Sequence, residues 1–290
     1  MLGVDVSLGR GLDVALLEDR AVKERWSRLG AEGLADLLRE LRPDAVAIDA
    51  PPSPGLGLLI DEAERARLPV PPAPGRHLHR RVAEYELSRR GIGSHQTHRE
   101  EALLFSWMTA GFETFRAADA AGYRTYLGTG SPTGSALEVF PYASYVALAG
   151  CLSPGRRWRA AWRRSVLVAN GVAGLADNDS IDLLDAACAA LTGELYLGGD
   201  GSFVGDPREG VIVLPVSALA DRYRKCAPLE PLPKAPARLC ECGCGASARR
   251  RFLPGHDSKL RSRLVRAARE GADARRELER LGWSRFIGEE

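Results

Sequence analysis

The chain has 290 residues, of which 45% are hydrophobic and 27% charged, with a formal net charge of +2. This is ordinary globular composition without repeats or low-complexity segments, and its length suits one large domain with an appendage, or two domains. No uninterrupted apolar run approaches the roughly 18 residues of a membrane span, and no basic start precedes an apolar segment, so neither membrane insertion nor a signal peptide is expected.

The charge is uneven. Residues 238–290 carry thirteen basic and eight acidic side chains, a net of +5, which leaves about −3 for the remainder. Lysine occurs only at positions 23, 225, 234 and 259, so the positive charge is almost all arginine, whose planar fork matches phosphate geometry. Six cysteines in a chain of this length do not suggest a secreted disulfide scaffold. Cys151 and Cys188 lie in apolar surroundings and read as reduced core residues. Cytoplasm is the expected location.

The chain opens with Leu2-Gly3-Val4-Asp5-Val6-Ser7, a short apolar strand with a carboxylate in its middle. Aspartate is depleted in strands and costly to bury unpaired. A turn at Leu8-Gly9-Arg10-Gly11 leads to a second strand, residues 12–18, and residues 20–28 suit a third, giving an antiparallel meander. Leu34, Leu37, Leu38 and Leu41 have helical spacing over residues 31–41. Residues 45–49 then form a strand apolar on both faces, as in a buried parallel strand, and end in Asp49 before Ala50-Pro51-Pro52.

Residues 51–76 are rich in Pro and Gly and read as a long functional loop with one helical turn near 59–66. Helices are expected over 78–90 and over 99–122, the latter broken near Gly111. Residues 135–142 read as a strand carrying Glu138. Trp158 and Trp162 stand among Arg156, Arg157, Arg159, Arg163 and Arg164 on a further helix. An apolar helix over 180–193 begins with Asp182 and Asp185, behind the plausible N-cap Ser180. Residues 210–215 form a last strand. Four prolines between Ala227 and Ala237 mark a linker, and two short helices, 258–270 and 272–281, finish the chain. The expected organisation is a domain over 1–216, a linker over 217–237 and a basic tail over 238–290.

Asp5 and Asp49 are each delivered by an apolar strand, Glu138 by a later strand, and Asp182 and Asp185 share a helix face three residues apart. Converging carboxylates repel unless a cation neutralises them, and oxygen donors suit magnesium or manganese. Asp5, Asp49 and Asp185 are the expected ligands of two such ions, with Glu138 and Asp182 assisting. Four of these five acids have a plainer reading. Asp5 could be a salt-bridged structural acid, and Asp49 a turn-former. Glu138 could be the buried partner of Arg81 or of another arginine of the 80–90 helix, and Asp182 a first-turn acid favoured by the helix dipole.

These segments also resemble a known family. Gly3-Val4-Asp5, Ile48-Asp49-Ala50-Pro51, Arg81-Val-Ala-Glu84-Tyr-Glu86-Leu87 followed by Gly91-Ile92, Glu138-Val-Phe-Pro141, Asp182-Leu-Leu-Asp185-Ala and Glu209-Gly-Val-Ile-Val-Leu-Pro215 occur in its order. The family is domain-of-unknown-function family 429, the predicted RNase H-like nucleases. The resemblance covers roughly residues 1–216. It implies an α/β ribonuclease H-like mixed sheet flanked by helices, and phosphodiester hydrolysis by a carboxylate-held metal ion.

Arg81, Arg156, Arg157, Arg159 and Arg163 are the candidate nucleic-acid contacts, with the two tryptophans available for base stacking. The alternative for 156–164 is an amphipathic helix with its tryptophans in the core. His95 and His98 suit surface-loop positions better than a general-base role. Cys240, Cys242, Cys244 and His256 supply three thiolates and an imidazole, a set that suits structural zinc, although the C-x-C-x-C spacing is tighter than the usual knuckle. The segment through Arg251-Phe-Leu-Pro-Gly-His256-Asp resembles Cys-rich pieces of mobile-element proteins. The sequence therefore points to a metal-dependent nuclease acting on DNA or RNA, with a zinc-held basic tail as a nucleic-acid grip. Its rivals are an ATP-using phosphotransferase of the actin or sugar-kinase type and a non-catalytic nucleic-acid-binding module.

Overall fold

A computed structural model describes residues 1–7, 9–227, 238–248, 251–268 and 271–286. Two compact units divide the chain, residues 1–229 and 230–290. The first is a mixed α/β unit. Its strands are β1 (Leu2–Ser7), β2 (Gly11–Glu18), β3 (Ala21–Leu29), β4 (Val46–Asp49), β5 (Arg124–Thr125), β6 (Ser135–Glu138), β7 (Ser202–Asp206) and β8 (Gly210–Leu214). Its helices are α1 (Ala31–Leu41), α2 (Glu62–Arg67), α3 (Val82–Arg89), α4 (Ser106–Ala120), α5 (Pro141–Ala149), α6 (Arg159–Ala169) and α7 (Ile181–Leu197). Six strands form one sheet in the order β3-β2-β1-β4-β6-β5. The meander β1–β2–β3 is antiparallel, and β4, β6 and β5 add in parallel. β7 and β8 form a separate antiparallel pair.

Strand alternation decides which side chains meet which helix layer. Leu2, Val4 and Val6 of β1 share a buried cluster with Leu34, Leu37 and Leu38 of α1 and Phe115 of α4. Gly3 and Asp5 take the other face, against α7. A Cβ on Gly3 would lie 2.0 Å from Ala186 O and 2.5 Å from Ala190 N, so only glycine lets α7 settle this close. The helix meets that requirement with Ala186, Ala187, Ala189 and Ala190, all buried.

Three expected elements differ. α4 runs unbroken through Gly111, which serves close approach instead: a Cβ there would stand 2.4 Å from the Cβ of Ala50. The strand expected over 135–142 stops at Glu138, because Pro141 opens α5 at a position where its missing N–H costs nothing. β7, unseen in the sequence, pairs along all five residues of β8.

The start of the expected linker belongs to the first unit. Tyr223 is buried and donates its N–H to Arg90 O, and Cys226 forms a disulfide with Cys151. Cys151 is therefore no reduced core residue, a pairing that its apolar sequence context could not show. Cys188 is a buried free thiol, as expected. Residues 228–237 of the expected linker, and Leu8 of the first turn, lie outside the described residues.

The second unit contains a short antiparallel pair, β9 (Arg238–Leu239) and β10 (Ser247–Ala248), followed by α8 (His256–Ala267) and α9 (Ala272–Arg280). Leu260, Ala268, Leu278 and Leu281 are buried, and the rings of Phe252 and Trp283 stack at 5.6 Å. No helix among the described residues is long and apolar enough to cross a membrane.

Candidate functional site

Register builds the first site. Asp5 faces Asp13 across the antiparallel β1–β2 pair and Asp49 across the parallel β1–β4 pair. Alternation puts these three acids on the α7 face of the sheet, the face that Gly3, Ala15 and Ala47 also use. The first turn of α7 meets them there, held by Ser180 accepting from Leu183 N at 3.0 Å. One oxygen from each of Asp5, Asp13 and Asp182 lies within 4.8 Å of the others. Asp5 and Asp13 are buried, at 9% and 8% exposure, while Asp182 is partly exposed and stands 2.9 Å from Arg10.

Asp185 was expected among the metal ligands beside Asp5 and Asp49. It is instead committed to Arg163, whose Nε stands 2.6 Å from its Oδ1 without the alignment of a hydrogen bond. The oxygen cluster substitutes Asp13 and Asp182 for Asp49 and Asp185, which flank it. Asp13 was missed, although Leu12-Asp13-Val14 carries the same signal that singles out Asp5, an acid inside an apolar strand.

The electrostatics are those of crowded anions. Burial, then repulsion from Asp185, Asp182 and Asp13, pushes the Asp5 carboxyl up to about 8, with Arg163 opposing. Burial also carries Asp185 to about 7 despite Arg163. Asp49 is raised well above the usual carboxylate range by burial, then by Asp5 and Asp185. Such a site favours protons or a cation. Adjacent oxygen donors on one octahedral magnesium ion stand about 3 Å apart, so closure of the Asp5–Asp13–Asp182 set would suit hard cations of this class.

Glu138 does not join the cluster. It pairs across to Ile48 rather than Asp49, and alternation turns it, with Ala136, to the opposite sheet face. There both its oxygens accept from Arg81, one from Nη1 at 2.9 Å and the other from Nη2. Arg81 is 1% exposed and Glu138 3%, so this is the buried pair, and Arg81 is not available to a nucleic-acid backbone. Glu84 completes the network, accepting from Arg81 N at 3.2 Å and Thr97 N at 3.0 Å. Glu209 accepts from Leu56 N, Gly57 N and Val82 N, fixing the Pro/Gly-rich loop to the start of α3. A cavity of about 260 Å³ lies between Asp49 and this network.

Of the other candidate phosphate contacts, Arg156, Arg157 and Arg159 are exposed and hold no carboxylate among the described residues. Arg156 and Arg159 line a second cavity whose wall includes Arg163. Arg163 itself is 8% exposed and spent on Asp185, which removes it as a backbone contact. Trp162 is core, at 3% exposure, while Trp158 lies half-buried under the guanidinium of Arg157 at 5.0 Å.

In the second unit Cys240, Cys242, Cys244 and His256 converge. Cys240 Sγ is 3.4 Å from Cys242 Sγ and 3.8 Å from His256 Nδ1, and Cys242 Sγ is 3.1 Å from the same nitrogen. A tetrahedral zinc ion sets S···S edges near 3.8 Å and S···N edges near 3.6 Å, approximately the spacing found. Leu253 N donates to Cys240 Sγ at 3.3 Å, the kind of outer-shell bond that holds a metal-ligating thiolate in place. Gly243, between the second and third cysteines, is at positive φ, as is Gly245 just after the run. This Cys3His cluster could hold a metal such as zinc.

The chain matches no protein-family model, no curated protein and no solved structure.

Proposed function

We propose that the first unit is a metal-dependent nuclease of ribonuclease H-like type and that the second is a zinc-held module gripping nucleic acid. The observation carrying this reading is the convergence of Asp5, Asp13 and Asp182 beside Asp49 on the central strands. The strand order and its antiparallel-then-parallel pattern support the ribonuclease H-like assignment, as does the resemblance to domain-of-unknown-function family 429.

Asp5, Asp13 and Asp182 would hold a magnesium or manganese ion, with Asp49 and Asp185 at its border. Such an ion supplies charge neutralisation at a phosphodiester and a lowered water pKa when bound. The chain supplies the rest. Arg163 holds Asp185 in place and offsets part of the anionic charge. Arg156 and Arg159 would take backbone phosphates in the groove that ends at Arg163. Asp49, its pKa raised, is placed to hold a proton between the cluster and the neighbouring cavity. On α8 of the second unit, Lys259, Arg263 and Arg266 line a groove with Ser258 and Ser262, a surface suited to phosphates.

Asp182 is reached at 2.9 Å by the exposed Arg10, which would yield this carboxylate to an ion, and the phosphotransferase alternative has no glycine-rich phosphate loop beyond the first turn. The test is incubation of the full chain with labelled single-stranded and duplex DNA, RNA and hybrids, with manganese or with chelator. Cleavage that requires the metal and disappears in Asp5→Asn is the expected result. Cleavage that persists in chelator or in that variant overturns the assignment.

A further inference from the structure

The cavity that Asp49 lines extends away from the Asp5–Asp13–Asp182 cluster, and most of its wall is unlike that of a phosphate channel. Trp107, Met108, Phe140 and Ile212 give it apolar and aromatic walls, and Asp49 closes one end. His95 stands at its exposed side, its ring edge-on to Phe105 at 5.2 Å and to Trp107 at 5.5 Å. Phe105 is 52% exposed, an aromatic ring left in solvent beside the opening. Aromatic faces of this kind are what unpaired bases stack on.

Size narrows the occupant. About 260 Å³ falls just under the roughly 300 Å³ at which pockets for drug-sized ligands begin, enough for one ring system but not for a base pair. The polar inner wall narrows it further. Arg81, Glu84, Thr97 and Glu138 are bonded to one another, and apart from Asp49 at the carboxylate end this wall leaves little to read the hydrogen-bonding edge of a ligand. Affinity there comes from stacking and burial, which tolerate any base.

Resting on the nuclease reading, we infer that this cavity receives one unstacked base of the substrate strand, with its phosphate directed toward the carboxylates. The substrate is then a single strand, or a duplex opened locally, with little sequence preference. A base held in a helix cannot enter without leaving the stack.

The test is calorimetric titration of the full chain with adenosine and with thymidine, in chelator, so that neither metal nor phosphate contributes. Both nucleosides should bind with similar affinity. Phe105→Ala and His95→Ala alter exposed side chains and should weaken binding, Trp107→Ala should weaken it roughly five- to 150-fold, and Trp107→Phe should restore most of it. In manganese, single strands should be cut faster than matched duplexes. Absence of saturable nucleoside binding, or binding indifferent to all three alanine substitutions, overturns the inference. If strands are nevertheless cut, the nuclease reading survives without the base pocket. If nucleosides bind and nothing is cut, the pocket stands and the nuclease reading falls.

Discussion

Asp5 and Asp13 sit opposite one another on neighbouring antiparallel strands, both more than nine-tenths buried. Like charges directly across a strand pair are destabilising. Here the cost is raised by a third carboxylate from α7 within 4.8 Å. An arrangement that opposes folding in a metal-free chain has measurable consequences.

The first is a pH dependence. Burial and the neighbouring carboxylates push Asp5 up to about 8, and burial carries Asp185 up to about 7, against 3.8 for a free aspartate. Between those limits the folded state holds protons that the unfolded state has released, so stability falls as pH rises. In chelator, denaturant melts should show lower stability at about pH 8.5 than at about pH 5. Asp5→Asn should remove part of that slope and stabilise the alkaline form, by on the order of a few kcal/mol. An unchanged slope in the variant would count against the crowding described here.

The second separates Asp13 from Glu138. Manganese binding, followed by calorimetry, should be weakened by Asp13→Asn as severely as by Asp5→Asn. Glu138→Gln should leave it largely intact and destabilise the fold by about 3–5 kcal/mol, since Arg81 would lose its buried partner. Loss of manganese binding in a folded Glu138→Gln protein would return Glu138 to the metal site.

The third concerns the second unit. Purified protein should contain one zinc per chain, and Cys240→Ser or His256→Ala should empty the site. Zinc removal should lower the helical circular dichroism signal, because so small a unit depends on its metal staple. Full zinc occupancy in Cys240→Ser would exclude the ligand set.

The fourth uses the Cys151–Cys226 disulfide, which spans 75 residues. Closing a loop of that length stabilises a fold by about 4 kcal/mol on the chain-entropy account. Reduction, or Cys226→Ser, should lower the denaturation midpoint by a corresponding amount. A midpoint unmoved by reductant would show that the bridge contributes nothing in solution.

Much of this architecture is legible in the residues. The meander, α1 and the parallel strand ending at Asp49 follow from apolar periodicity, and α7 from an apolar stretch behind a serine cap. The convergence of Asp5 and Asp49 follows from two strands of one pattern. Less visible was anything decided by register or by the opposite sheet face. Glu138 sits on a strand like the others, but one step of alternation turns it toward Arg81. Asp13 carried the right signal, yet only antiparallel pairing reveals that it stands against Asp5. The Cys151–Cys226 bridge joins segments that neither periodicity nor composition connects.

Gly3 has no side chain and no chemistry, yet it sets the gauge of the carboxylate cluster. Asp182 rides on the helix whose Ala186 O would meet any Cβ at position 3. Thickening this contact by one methyl group would lift α7 and carry Asp182 away from Asp5 and Asp13, loosening the oxygen cluster proposed to hold a cation. On the metal-site reading, the hydrogen on Gly3 would be the spacer that sets how closely Asp182 approaches Asp5 and Asp13. Gly3→Ala should lose preference for small divalent ions before it loses the acids that bind them.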